Sequence, residues 1–219
     1  MNRRECFDAV VFDMDGIIFD SERIVLDCWK QVAQRHGISG IEEACRECTG
    51  VNATATKEIM QKRYGREFPY DQYCKESSVL FHELCDDGRL PMKTGVVEIL
   101  SFLRDNGIKV ALASSTRREV VVQELRDASI LPFFEQVICG DMVSRSKPEP
   151  DIFLKACESL GVQPDRAYAI EDSYNGIRAA HRAGMRPIMV PDLIEPDEEM
   201  EALTEVILPT LLDVIKYFS

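Results

Sequence analysis

Short β-branched and aromatic runs alternate with amphipathic stretches through most of this chain, and that alternation constrains its fold more than any other feature. The runs read CFDAVVFDM at 6–14, IKVALA at 108–113, QVICG at 136–140, AYAIED at 167–172 and RPIMV at 186–190. Between them lie REVVVQELRDAS at 118–129, DIFLKACESLG at 151–161 and NGIRAAHRAG at 175–184. Their apolar positions recur at helical spacing, and the last two close on glycine, as helix C-termini often do. Strand and helix in alternation build a parallel sheet wrapped on both faces, so the fold class is α/β.

Residues 20–90 carry no strand signal. Ser21 is placed to cap a helix whose apolar positions Val25, Cys28, Trp29, Val32 and Ala33 share a face, with Gly37 ending it. Asn52 can cap a second helix through Glu58, Ile59 and Met60, and Tyr70 to Leu84 supplies a further one. The chain turns at Leu90-Pro91 and returns to α/β texture through VVEILSFLRDNG at 96–107. The expected plan is one α/β core, residues 1–19 and 91–219, carrying an all-helical insert at 20–90. The insert leaves from the C-terminal end of the first strand, where open α/β sheets bind ligands, and would cover the site. Hinges are expected at 16–20 and 88–95. The tail reads as a loop, a short strand near Glu205–Leu208 and a helix from Thr210, its acidic stretch Glu195–Glu201 being a solvated surface.

Composition narrows the function. With 219 residues the chain makes one or two domains, able to bury about 70% of its unfolded surface without staples. The formal charge of −12 argues against a nucleic-acid partner, which would need clustered Lys and Arg. The opening apolar run, broken by Asp13 and Asp15, is too short for a signal peptide, and no stretch approaches the ~18 apolar residues of a membrane span. A soluble, cytoplasmic monomer is expected. The eight cysteines, Cys6, Cys28, Cys45, Cys48, Cys74, Cys85, Cys139 and Cys157, read as reduced, buried thiols; Cys45 and Cys48 make a lone C-x-x-C. Three dispersed histidines make a Ser-His-Asp hydrolase improbable.

Polar groups gather where the strands end. Asp13 and Asp15 close the first run, and two carboxylates this near repel unless a cation lies between them or one is protonated. Glu171 and Asp172 close AYAIED, with Ser173 placed to cap the following helix. Asp13 and Asp172, with the backbone carbonyl of Asp15, offer hard oxygen donors that suit Mg²⁺. Ser114, Ser115 and Thr116 follow IKVALA at a helix start, where free N–H groups receive an anion well. Lys147 stands before Pro148 and Pro150, which limit the backbone around it. A polar turn, helix capping and a solvated lysine would each explain one cluster alone; their joint occurrence favours a site.

In these residues the sequence resembles the haloacid dehalogenase superfamily, in the helical-cap branch that includes β-phosphoglucomutase and many small-molecule phosphatases. VVFDMDGIIFDSE matches the first motif, with Asp13 as nucleophile and Asp15 as general acid and base. VALASST matches the second through Ser114, SKPEPDIF the third through Lys147, and AIEDSYNGIRAA the fourth through Glu171 and Asp172. The resemblance implies a Rossmann-like core with a cap at about 20–90. It makes Asp13, Asp15, Ser114 and Lys147 catalytic, Asp13, Asp15, Glu171 and Asp172 the Mg²⁺ set, and Ser114, Ser115 and Lys147 the substrate-phosphate contacts. The carboxylate at position 15 disfavours dehalogenation.

The expected reaction is Mg²⁺-dependent hydrolysis of a small phosphorylated metabolite, a sugar or polyol phosphate, through an aspartyl phosphate. A sugar-phosphate mutase is the first alternative. Mutases of this branch carry a cap histidine and a cap arginine, and Val25 and Ala53 stand at those places. Phosphonate cleavage needs a Schiff-base lysine in the cap, for which Lys30, Lys57, Lys62 and Lys75 are candidates by location. A non-catalytic phosphate-binding module would not need Asp15 as an acid.

Overall fold

A computed structural model describes residues 7–48 and 53–219, without the side chains of 53–55. β1 (Ala9–Phe12) leads into helices α1 (Ser21–His36), α2 (Ile41–Cys48), α3 (Ala53–Tyr64) and α4 (Tyr70–Cys85). After α5 (Val96–Asp105) come β2 (Lys109–Ser114), α6 (Arg118–Asp127), β3 (Gln136–Cys139), α7 (Asp151–Leu160), β4 (Ala167–Glu171) and α8 (Tyr174–Arg182). The chain ends with β5 (Arg186–Met189), α9 (Glu198–Leu203), β6 (Val206–Ile207) and α10 (Leu211–Phe218). Among the described residues six strands form one parallel sheet in the order β3-β2-β1-β4-β5-β6. The fold is the expected Rossmann-like α/β arrangement. Strand order reverses at β1, between β2 and β4, and the crevice beyond the strand ends opens there.

Side-chain size alternates across the sheet. Val10, Phe12, Val110, Leu112, Tyr168 and Ile170 point to one face and meet α5, α6 and α10. Ala9, Val11, Ala111, Ala113, Ala167 and Ala169 point to the other and meet α7 and α8. Period-two alternation in the sequence thus becomes one bulky layer and one of mostly alanine, on which two helices lie close. Helices α1 to α4 bury a separate apolar cluster around Trp29, Val32, Met60 and Tyr73. There the Tyr73 hydroxyl donates to the Trp29 carbonyl at 2.5 Å, and the two rings meet edge to face at 5.6 Å.

Three local expectations need correction or completion. Ser21 is the first residue of α1 rather than its cap; Asp20 occupies the N-cap position, without a side-chain capping bond. The acidic stretch at 195–201 is more than a solvated surface: Asp197 caps α9 by accepting from the Met200 N–H at 2.9 Å, and Glu199 pairs with Arg178. Asn52 lies outside the described residues, as does Cys6. Ser173 and Thr210 cap α8 and α10 as their positions suggest.

Candidate active site

β1 stops at Phe12, but the Asp13 N–H still donates to the Ile170 carbonyl at 2.9 Å, so Asp13 leaves the sheet in register. Its carboxylate and those of Asp15 and Asp172 line a cavity of about 460 Å³ at the C-terminal ends of β1, β2 and β4. Lys147 also reaches this cavity from the loop before α7. Its Nζ donates to Asp13 Oδ1, to Glu171 Oε1 at 2.6 Å and to the Ala113 carbonyl at 3.1 Å, and lies 5.1 Å from the Phe153 ring centroid. Burial opposes a charge on Lys147, yet Asp13 and Glu171 outweigh it and hold the ammonium above the usual lysine range.

Glu171 is fully buried and saturated. One oxygen faces Lys147, and the other accepts from the Asp172 N–H, the Ser173 N–H and the Ser173 hydroxyl, each at 3.0 Å. Ser173 in turn accepts from the Gly176 N–H at 3.1 Å, so one hydroxyl starts α8 and steadies the carboxylate that grips the lysine.

Asp15 is held from two elements. Ser21, leading α1, donates to its Oδ1 at 2.6 Å, and Thr116, past β2, donates to its Oδ2 at 3.3 Å. Burial pushes the Asp15 carboxyl up, and these two hydroxyls act against the rise. Ser21 as a holder of Asp15 was not legible from local pattern, because its position at a helix start is equally that of a cap.

Ser114 is fully buried and does not line the cavity. Its hydroxyl accepts from the Thr116 N–H at 3.1 Å and shapes the turn, while Ser115 and Thr116 open on the cavity. Ser114 is the last residue of β2 and stays among its packed neighbours, whereas the two that follow have left the sheet.

A divalent cation suits this donor set. Oxygens of Asp13, Glu171 and Asp172 lie within 4.8 Å of one another, all three residues buried. Burial and the neighbouring carboxylates push Asp13 and Asp172 up, a penalty that a bound cation would relieve. Gly16, at φ +78°, makes the room: a Cβ there would lie 2.2 Å from Asp172 Oδ2. Glu22 and Asp192 were not singled out as site residues. With Asp172 they form a second acidic convergence, and both Glu22 Oε2 and Asp192 Oδ2 are buried without a hydrogen-bond partner. Burial, then Asp15 and Asp192, push Glu22 up to about 8. Asp192 follows β5, so the rule that strand ends carry the chemistry would have found it.

The opposite wall comes from the helices. Glu22, Val25 and Trp29 reach the cavity from one face of α1, joined by Cys45 and Cys48 of α2 and Thr56 of α3. The C-x-x-C thiols therefore line a site rather than only filling a core, and none of the cysteines among the described residues forms a disulfide. Lys30, Lys57, Lys62 and Lys75 do not line the cavity. Val25, at the place of the mutase histidine, does; the Ala53 side chain lies outside the described residues. Two connections carry these helices and are tied to each other: Asp20 N–H donates to the Pro91 carbonyl and Lys93 N–H to the Ile18 carbonyl, each at 2.9 Å.

The profile of the haloacid dehalogenase-like hydrolases matches residues 10–190. The chain belongs to that family. A phosphorylated carbohydrates phosphatase of Thermotoga maritima is 30% identical over 220 residues, covering 91% of this chain and all of the relative. A β-phosphoglucomutase of Bacillus subtilis is 30% identical over 203 residues, covering 85% of this chain and 88% of the relative. Among solved structures, CbbY of Rhodobacter sphaeroides in complex with phosphate superposes with a TM-score of 0.74 at 26% identity, covering 95% and 96% of the two chains. This member of the family is a phosphoric monoester hydrolase. Among the described residues no helix is long and apolar enough to cross a membrane.

Proposed function

We propose that the chain is a Mg²⁺-dependent phosphatase of small phosphorylated metabolites, sugar or polyol phosphates, acting through an aspartyl phosphate on Asp13. The observation that carries this reading is the clamp of Lys147 between Asp13 and Glu171, beside Asp172 and a separately held Asp15. Asp13 attacks phosphorus as the bond to the leaving oxygen breaks, and Asp15 gives that oxygen a proton. Asp15 then takes a proton from the water that attacks the phosphoryl group and frees Asp13. Lys147 carries positive charge to the transferred oxygens, and Ser115 and Thr116 offer them donors at the start of the turn to α6.

Asp13, Asp172 and the Asp15 carbonyl would hold Mg²⁺, which when bound supplies charge stabilisation to the phosphoryl oxygens. Glu171, with both oxygens already engaged, is assigned to positioning Lys147 and closing the metal's surroundings. Residues 20–90 act as a cap on a core of 1–19 and 91–219, their wall shielding the site from bulk water. The mutase reading lacks support on that wall, where Val25 has no proton to exchange.

Phosphate release from a panel of sugar and polyol phosphates, with and without Mg²⁺, tests the reading. Chelation should abolish release and Mg²⁺ restore it, and Asp13→Asn should lower kcat by about 10³-fold or more. Full turnover in Asp13→Asn would rule out covalent catalysis, and isomerisation without release would favour the mutase.

A further inference from the structure

We propose that the organic part of the substrate is uncharged: a monophosphate ester with no second phosphoryl or carboxylate group, packing an apolar face against Trp29 and Val25. This rests on the phosphatase reading of Asp13 and narrows it from phosphorylated metabolites at large to neutral monoesters.

The described part of the cap wall has no cation to offer. Among the described residues that line the cavity, Lys147 is the one lysine or arginine, and it is already clamped by Asp13 and Glu171 on the sheet side. The cations of α1 and α3 that carry acidic partners are turned to them instead. Lys30 pairs with Glu42 at 2.9 Å, Lys57 with Asp71 at 2.8 Å, and Arg63 with Glu47 at 2.8 Å. The stretch TGVNATAT at 49–56 contains no ionisable side chain, so that segment brings no cation either. Arg46 and Arg178 border a neighbouring depression beyond Leu193, where Arg178 is tied to Glu199.

Apart from Lys147, the ionisable side chains that face the cavity are the carboxylic acids Asp13, Asp15, Glu22 and Asp172 and the thiols Cys45 and Cys48. A second anionic group on the substrate would meet Glu22 as well as Asp15 and Asp172, with no partner to offset its desolvation. The wall suits a neutral group better. Trp29 is almost fully buried, yet it borders the cavity and is fixed from behind by the Tyr73 ring and hydroxyl. Val25 stands one turn before it. A ring held this firmly gives a sugar's C–H groups or another apolar surface a fixed apolar border, with little loss of freedom on binding.

The test compares kcat/KM within matched pairs: sorbitol 6-phosphate against 6-phosphogluconate, and fructose 6-phosphate against fructose 1,6-bisphosphate. The neutral monophosphate should be favoured at least tenfold in each pair. Val25→Arg should cut that preference below threefold, and Cys48→Arg provides the same reversal from α2 if the first variant melts early. Equal turnover of charged and neutral members by the wild type overturns the inference. So does an unchanged preference in an arginine variant that melts like the wild type. In both cases release that still depends on Asp13 leaves the phosphatase reading standing; absence of Asp13-dependent release from every ester overturns that reading and the inference with it.

Discussion

Gly176 has no side chain because Glu171 occupies the place where one would sit: an added Cβ would lie 1.8 Å from the Glu171 carboxyl carbon. Gly176→Ala is expected to displace Glu171, loosen Lys147, lower kcat at least tenfold and destabilise by about 1–3 kcal/mol, read from steady-state kinetics and thermal melts. Glu124 makes a different prediction. Burial pushes its carboxyl up to about 7, Asp15, Asp86 and Asp127 adding to the rise and His82 opposing it. The folded state therefore binds this proton more tightly than the unfolded chain. The stability it contributes is full below about pH 4.5 and is lost as pH rises through about 7. Glu124→Gln should melt higher than wild type at alkaline pH, by about 1 kcal/mol once screening of this part-exposed group is allowed for, and the gap should close towards acid pH. Site residues were legible where a charged group closes an apolar run, as with Asp13, Asp15 and Asp172. Ser21 was not, because a hydroxyl near a helix start has the same local pattern whether it caps, turns a loop or holds a carboxylate.

At the scale of elements, α1 does most to join the sheet to the opposite wall. Ser21, Glu22, Val25 and Trp29 recur at helical spacing, so one face delivers a hydroxyl, a carboxylate and an apolar surface to the same cavity. Its first turn is anchored by Asp192, whose side chain is 2% exposed and pairs with Lys93 at 2.5 Å and Arg23 at 3.5 Å. Lys93→Ala removes the nearer partner of a buried carboxylate. It should cost about 1–3 kcal/mol in chemical denaturation, and Lys93→Arg should recover part of that loss. The main strands and the helices flanked by glycine or a capping hydroxyl were legible, since period two and helical spacing leave distinct marks. α2 and α9 were not. IEEACREC and EEMEAL are short and mostly charged, and their apolar positions gain meaning only from the neighbours they bury against.

For the whole molecule, the pairing of β1 with β4 brings Asp13 beside Asp172, and the alanine layer lets α7 and α8 lie close beneath that edge. Ala169→Leu is expected to push α7 and α8 outward, lose about 1–3 kcal/mol in a thermal melt and reduce phosphate release more than an equal loss from the surface would. The general plan was legible because four separate strand ends agree, each placing a polar group on the same edge. The chemistry of the opposite wall was not, because Cys45 and Trp29 have the pattern of core residues and only the assembled helices turn them toward a cavity. The hydrogen bonds that bind residue 20 to 91 and residue 93 to 18 have a mechanical result. Two knuckles set side by side favour a single axis: a swing of the helices about the line through them would keep both bonds, whereas a twist would break them, so Trp29 would approach an incoming molecule along one arc.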